Sequence, residues 1–252
     1  MFALLRGGDL LRARPLPPAG TTARVALVQA SASLLSGDRL ELDVVLGAGA
    51  AVELVEVAAM VAQPTRGGPA ARLAIAATLG AGARLHWDAR PLVLTAGCDL
   101  RRRIDVRLGR GAVAVLRDTL VFGRTGEEPG RLASRTTAEV GGVALHDEGL
   151  DTGDLATLRS PAVVGGARVL DVVALYGDRG EAPGALQLAG PGTLAVVCAP
   201  DAAQAHALID PIRRRWARAL LDGAGRGDDL QAGVEGRATL APSATGQSVP
   251  SL

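Results

Sequence analysis

The chain contains no lysine; all 27 of its basic residues are arginine. That absence removes two chemistries, because a P-loop needs its lysine on the β- and γ-phosphates and Schiff-base catalysis needs a lysine amine. Aromatic residues make up only 2% of the 252 positions, so Ala, Val and Leu have to fill the interior. Such a core suits many thin, closely packed layers better than one thick core built on rings. The same scarcity disfavours a carbohydrate-binding repeat module, whose sugar faces stack on rings. Cys98 and Cys198 lack CxxC spacing and are too few for a disulfide framework, in keeping with a reducing compartment, with one bridge between them left open. No uncharged run approaches the roughly 18 residues needed to span a bilayer. Arg and Asp interrupt the N-terminal stretch MFALLRGGDLLRARPLPP, so a cytoplasmic location without membrane contact is expected. A net charge of +1 gives no broad footprint for nucleic acid, and the RRR runs at 101–103 and 213–215 read as local clusters on a solvated surface.

Catalytic frames are missing too. The three histidines, His86, His146 and His206, are too far apart for HExxH or another short-range zinc motif. There is no GxSxG, and neither cysteine has a partner at sequence level, so an enzyme is not expected.

What is present is hydrophobic content of 48% and a recurring Gly-x-Gly-Ala unit. The hydrophobic content allows a single large β domain or two smaller ones. The unit appears in VVLGAGAAVELV at 44–55, ATLGAGARLHWD at 77–88 and VRLGRGAVAVLR at 106–117, with weaker versions at 139–147 and 188–197. The first glycines of the three strong copies, Gly47, Gly80 and Gly109, lie 33 and 29 residues apart. A dinucleotide loop is excluded, because no third glycine completes GxGxxG and the next residues alternate instead of opening a helix. Each copy reads as a tight turn between two strands. Along 100–108, Leu100, Ile104, Val106 and Leu108 share one face while Arg101, Arg103, Asp105 and Arg107 share the other. Arg102 falls on the apolar face and is expected to meet a carboxylate or backbone carbonyls. Leu40, Leu42, Val44 and Leu46 make a similar inward set.

Strands therefore dominate residues 24 to about 198. The helical part is late: PDAAQAHALIDPIRRRWARALLD at 200–222 is expected to break at Pro211, with Asp210 as N-cap. The chain divides into an N-terminal extension or edge segment (1–23), a single β-rich domain (24–222) with helices at about 200–222, and a flexible Gly/Asp/Ser/Pro-rich tail (223–252).

Two pairs have a metal-binding look. His86 with Asp88, and His146 with Glu148, stand at i and i+2, which puts each pair on one face of a strand. Against this, Arg84, His86, Asp88 and Arg90 form the polar face of an alternating strand, and a solvated face needs no ligand. Ser36-Gly37-Asp38 reads as a turn whose Asp38 bonds nearby backbone N–H groups.

LLSGDRLELDVVLGAGA at 34–50 resembles the segment around the SGD turn in the urease accessory protein D (UreD/UreH) family. The similarity continues in order through ARLHWDARPLVLTAGCDLRRRIDVRLGRGAVAVLRDTLVFGR, GRLASRTTAEV and HDEGLD, over roughly residues 24–150. The resemblance implies a mainly β fold: an elongated β-helix-like or stacked two-layer β-sheet body with a few C-terminal helices. It implies a non-enzymatic urease maturation chaperone that works with UreF, UreG and apo-urease, with no tightly bound cofactor and nickel(II) in transit along an internal path. Asp38 is the first candidate acid for that path, followed by Glu53, Glu56, His86, Asp88, Cys98, His146 and Glu148; Arg124 belongs to a matching segment. The sequence departs from the family at VEVAAMVAQP (55–64), which lacks the usual Thr, Lys and Tyr groups, and at its SVPSL ending. The rival is a β-solenoid or sandwich metal-dependent enzyme using His86, Asp88 or Cys98.

Overall fold

A computed structural model describes residues 2–6, 11–30, 33–222 and 232–239. The strands are β1 (Phe2–Arg6), β2 (Leu11–Ala19), β3 (Thr22–Gln29), β4 (Ser33–Leu34), β5 (Arg39–Leu46), β6 (Ala51–Glu56), β7 (Met60–Ala62), β8 (Ala71–Leu79), β9 (Arg84–Asp88), β10 (Leu92–Leu94), β11 (Asp99–Leu108) and β12 (Val113–Val121). They continue as β13 (Arg131–Val140), β14 (Val143–Asp151), β15 (Val169–Tyr176), β16 (Leu186–Gln187), β17 (Gly192–Ala199) and β18 (Ala232–Thr239). Two helices, α1 (Leu155–Leu158) and α2 (Ala202–Asp222), complete the set.

The fold is mainly β and stacked. A seven-stranded sheet has the order β1-β18-β5-β8-β11-β13-β14, and an eleven-stranded sheet contains β16-β17-β15-β12-β9-β6-β3-β2 plus the short β4, β7 and β10. Alternation decides which side of each strand faces in. On β5 every second residue, from Leu40 to Leu46, is buried while Arg39, Glu41, Asp43 and Val45 are exposed.

The Gly-x-Gly-Ala units correct one expectation. The strands on either side of each strong copy do not pair with each other: β5 pairs in parallel with β8 and β8 with β11, while β6 pairs in parallel with β9 and β9 with β12. Each unit is a corner that carries the chain from one sheet to the other, and successive corners stack. The local glycine signature does not tell a corner from a hairpin turn, and here the partner lies one coil away. The two weaker copies are true reversals, joining β13 to β14 and β16 to β17 as antiparallel neighbours.

Both glycines of a corner are required, for different reasons. Gly82 has φ +67° with open space around its Cα, so its role is the left-handed conformation. Gly80 is a close approach: a Cβ there would lie 2.7 Å from the Ala48 nitrogen of the corner beneath. The corners are tied to each other by Gly80 N–H to Leu46 O (2.8 Å), Gly49 N–H to Ala81 O (2.8 Å) and Gly82 N–H to Arg110 O (3.0 Å).

The main core fills the space between the sheets, and a second cluster lies where α2 covers β12, β15 and β17 through Val115, Val173, Leu175, Ile209, Trp216 and Leu220. The expected break at Pro211 is absent: α2 runs through it as one helix, so there is a single long C-terminal helix. Proline inside a helix costs about 3 kcal/mol. Burial of Ile209, Trp216 and Leu220, at about 1.5–3 kcal/mol each, outweighs that cost. Asp210 is accordingly an interior position, and the N-terminal cap is Asp201, whose Oδ1 accepts from the Gln204 N–H at 2.8 Å. The expected tail also differs: Ala232–Thr239 is a strand antiparallel to β5, since its alternating short residues can extend the sheet edge. Residues 223–231 and 240–252 lie outside the described residues.

The two corner glycines give an ordered prediction. Gly82→Ala should cost about 1–2 kcal/mol from left-handed strain alone. Gly80→Ala should cost more, because backbone atoms of two coils must part. Thermal melting of the two variants is expected to rank wild type, Gly82→Ala, Gly80→Ala; the reverse rank would show that corner stacking is not the constraint.

Candidate functional site

A cavity of about 130 Å³ lies between the two sheets. It runs along the stack, from Leu11 and Gln29 on β2 and β3 to His146, Glu148 and Tyr176 on β14 and β15. Its volume has room for several waters. Most of the wall is aliphatic, including Leu40, Leu73, Ile104 and Leu120, and into that wall a few polar groups are set.

The first polar group bridges the sheets. Arg102 on β11 donates through both terminal nitrogens to Asp118 on β12, at 2.7 and 2.6 Å, and through Nε to Ser134 Oγ at 2.9 Å. Arg102 is buried and Asp118 keeps about a third of its side chain accessible. The inward arginine thus meets the carboxylate that its position demanded. Asp118 itself was missed, although a signal existed: with Ala114, Leu116 and Leu120 it occupies one alternating face, so a lone acid stands on an apolar surface just as Arg102 does.

Glu56 is the second group. Its carboxylate accepts from Trp87 Nε1–H at 3.2 Å and from the Arg90 backbone N–H at 2.9 Å. Burial pushes its pKa up to about 7, against the pull of those hydrogen bonds. The third is His146, whose Nδ1 shares a 2.7 Å hydrogen bond with the Tyr176 hydroxyl while Nε2 lies 3.5 Å from Glu148. Burial lowers the His146 pKa and raises that of Tyr176.

A separate charged layer lies outside the cavity, between the eleven-stranded sheet and α2. The face with Arg84, His86 and Asp88, expected to be solvated, is covered by the helix. Arg84 Nη1 donates to the Leu220 carbonyl at 3.0 Å, and Arg213 Nη1 lies 3.2 Å from His86 Nε2. Asp88 faces Arg213 at 3.5 Å and Arg117 at 3.8 Å. Arg117 in turn holds the fully buried Asp171 with contacts of 3.1 and 2.6 Å. Glu53 belongs to this layer, 2.6 Å from Arg24 and 3.5 Å from His86 Nδ1. The His86 ring and then Arg24 hold the Glu53 carboxyl down to about 2; the Arg24 contact is the firmer, since 3.5 Å is too long for a full hydrogen bond to the ring.

The eight candidate residues therefore separate into three places. Glu56, His146 and Glu148 line the cavity; His86 and Asp88 sit under α2 among arginines, with Glu53 beside His86; Asp38 and Cys98 are turn positions. Asp38 is buried and its Oδ2 accepts from the Leu35 N–H at 2.8 Å, the turn-holding role. Cys98 is a buried free thiol pushed up to about 11 by burial, and Cys198 is also free, so the two are not bridged. Among the described residues, no three His, Cys, Asp or Glu side chains form a group able to hold a metal ion, so His86, Asp88 and Cys98 do not converge as the rival reading needs. Arg124 is exposed and reaches Gln63 Oε1 at 3.2 Å and Glu127 at 3.5 Å.

Comparison with known proteins decides the family. The model of the UreD urease accessory protein family matches residues 8–232. Urease accessory protein UreD 1 of Streptomyces griseus is 39% identical over 215 residues, covering 84% of each chain. Urease accessory protein UreD of Streptomyces avermitilis is 33% identical over 220 residues, 82% of this chain and 87% of that one. Urease accessory protein UreD 2 of Saccharopolyspora erythraea is 34% identical over 233 residues, 85% and 82% respectively. The chain belongs to the UreD urease accessory protein family. The resemblance first carried by the SGD turn and the ordered repeats thus extends over most of the length, and the similar proteins are mostly actinobacterial. Family members are named as accessory proteins. No helix among the described residues is long and apolar enough to cross a membrane.

Two predictions follow from the cavity wall. Asp118→Ala strands a buried guanidinium, with an expected loss of about 3 kcal/mol, the low end of the range because Asp118 is partly accessible. Replacing both partners, Arg102→Met with Asp118→Leu, should restore much of that loss in denaturant melts; no recovery would show that the pair is not a unit. Glu56 predicts a pH trend. A carboxyl raised in the folded state to about 7 binds its proton more tightly there than in the unfolded chain, near 4.5, so its contribution favours folding at low pH. That contribution is lost as pH rises from about 4.5 through about 7. Wild type relative to Glu56→Gln should therefore lose stability over this window, and parallel stability curves would contradict the assignment.

Proposed function

We propose that this protein is a non-enzymatic urease maturation factor that passes nickel(II) along the cavity between its sheets, acting with UreF and UreG on apo-urease in the cytoplasm. The observation that supports this most directly is the placement of Glu56, Asp118, His146 and Glu148 on the wall of one cavity that follows the stack from its first coil towards its last. Carboxylates attract a divalent cation, and imidazole suits nickel.

The same groups have competing partners: Asp118 has Arg102, Glu56 has two N–H donors, and His146 has Tyr176. An ion at any of them must displace an existing interaction, so binding is weak at each step and onward movement is favoured. A protein that hands on a cargo needs this, whereas an enzyme needs groups poised around a reacting atom.

The test is co-expression of this chain with UreF, UreG and apo-urease under limiting nickel. Omission of the chain should abolish activation. Glu56→Gln should leave the complex with UreF intact and lower the nickel content of the matured urease several-fold. Asp38→Ala should act differently, through loss of the Leu35 turn contact, and reduce the amount of folded chain. Full nickel content with Glu56→Gln would remove Glu56 from the path, and full activation without this chain would end the proposal.

A further inference from the structure

The outer face of the seven-stranded sheet carries a row of arginines that the cavity does not explain. Arg39 stands opposite Arg72 in the β5–β8 register, and Arg72 stands opposite Arg101 in the β8–β11 register. All three are exposed, and they project from the same face. The positions that end the row are uncharged, Thr239 on β18 and Ala133 on β13.

On β11 and β13 the other outward arginines are matched with acids. Arg103 contacts Asp105 at 2.5 Å, Arg107 lies 3.7 Å from Glu139, Arg131 3.3 Å from Asp151 and Arg135 2.6 Å from Asp147. Arg39, Arg72 and Arg101 form no ion pair with any described residue. The nearest acids on the face, Glu41 beside Arg39 and Asp99 beside Arg101, do not reach them. Arg66, exposed on the loop before β8, adds a further positive charge at this end. Like charges directly opposite each other on neighbouring strands destabilise a sheet. A face on which the other outward arginines of β11 and β13 are paired while three in line are not has kept an unfavourable arrangement.

We infer that the row Arg39–Arg72–Arg101 is a docking surface for an acidic helix of a partner protein. The spacing favours a helix. Neighbouring strands are about 4.8 Å apart, so the row spans about 10 Å. Carboxylates at i, i+3 or i+4, and i+7 of an α-helix span about 10.5 Å at a rise of 1.5 Å per residue. Charge favours protein over nucleic acid: two rows along the same face stands a band of acids, Asp43, Asp105 and Asp147, of which Asp105 and Asp147 already neutralise Arg103 and Arg135, so no free positive track continues for a phosphate backbone, and a net charge of +1 supplies no long-range attraction to one. A short acidic helix can lie on the arginine row without reaching that band.

The experiment uses the full-length chain and three labelled probes: an alanine-based helical peptide with Glu at i, i+4 and i+7, the same peptide with Gln for Glu, and an oligothymidylate. Fluorescence anisotropy should show salt-sensitive binding of the Glu peptide, at least about tenfold tighter than of either other probe. The variant Arg39→Gln/Arg72→Gln/Arg101→Gln should lose that binding, and Arg103→Gln/Arg135→Gln should retain it. The triple variant should also melt at or above the wild-type temperature, because a repulsive row has been removed. Unchanged peptide binding in the triple variant, preference for the oligothymidylate, or a lowered melting temperature showing that the row is structural would each overturn the inference.

Discussion

Everything in this molecule depends on one backbone constraint: successive coils stack at strand spacing, so each corner must lie almost on the peptide groups of the corner beneath. A side chain at Gly80 would occupy the place of the Ala48 nitrogen. The inter-coil hydrogen bonds, such as Gly80 N–H to Leu46 O and Gly49 N–H to Ala81 O, carry backbone pairing from the sheet ladders into the corner. Next to each corner a small residue is enclosed completely, Ala50, Ala83 and Ala112. Narrow corners hold the two sheets close at that side, while larger inward residues keep them apart further along the strands. The cavity is the space that remains, and its length follows from the number of stacked coils.

The second layer of organisation is the cover on the eleven-stranded sheet. A sheet with Arg117, Asp171 and His86 on its outer face would need no cover if those groups stayed in water. Here α2 lies over them, driven by Val115, Val173, Leu175 and Trp216, and the charges are buried as a consequence. Much of that charge is partnered: Asp171 takes two bonds from Arg117 and one from Thr119, and Asp210 takes Arg213 and Arg214, while His86 Nδ1 and Asp88 Oδ1 are enclosed without a hydrogen bond. Removal of one partner from such a layer is costly, whereas the layer as a whole adds little net stability. Its contribution is to fix where the helix sits.

Local pattern made the strands legible, and the same pattern set the limits. The alternation at 39–46 and 100–108 identifies the inward residues, and Arg102 stands out in it as a charge on an apolar face that needs a partner. The Gly-x-Gly-Ala copies announce a repeat, yet a corner between sheets and a hairpin turn share the same local glycine signature; the signal for the parallel partners is the 33- and 29-residue spacing itself, which equals the offsets of the paired strands. The continuity of the helix through Pro211 is hidden from the sequence for a related reason. Local propensity opposes helix there, and the tertiary burial that overrides it comes from strands dozens of residues earlier. The polar face of β9 reads as solvated because its cover, α2, is distant in the chain. Among site residues, Glu56 and Glu148 reached the cavity while Asp38 went to a turn, because type and family position do not specify which side of a corner an acid occupies.

The charge distribution along the cavity bears directly on what such a protein can do. Glu56, Asp118 and Glu148 place carboxyl groups on the wall; the Arg90 backbone N–H is bonded to Glu56, and the Arg102 guanidinium sits on Asp118. Coulomb attraction between a divalent ion and one carboxylate in a poorly hydrated space would be strong enough to trap the ion. A guanidinium already seated on Asp118 reduces that attraction, and burial that keeps Glu56 partly protonated near neutral pH reduces it again. The wall thus provides acids at intervals while keeping Glu56 and Asp118 from becoming deep wells. On the proposed reading this balance separates a conduit from a store: a binding site tight enough to hold nickel(II) in isolation would compete with the urease site it is meant to fill.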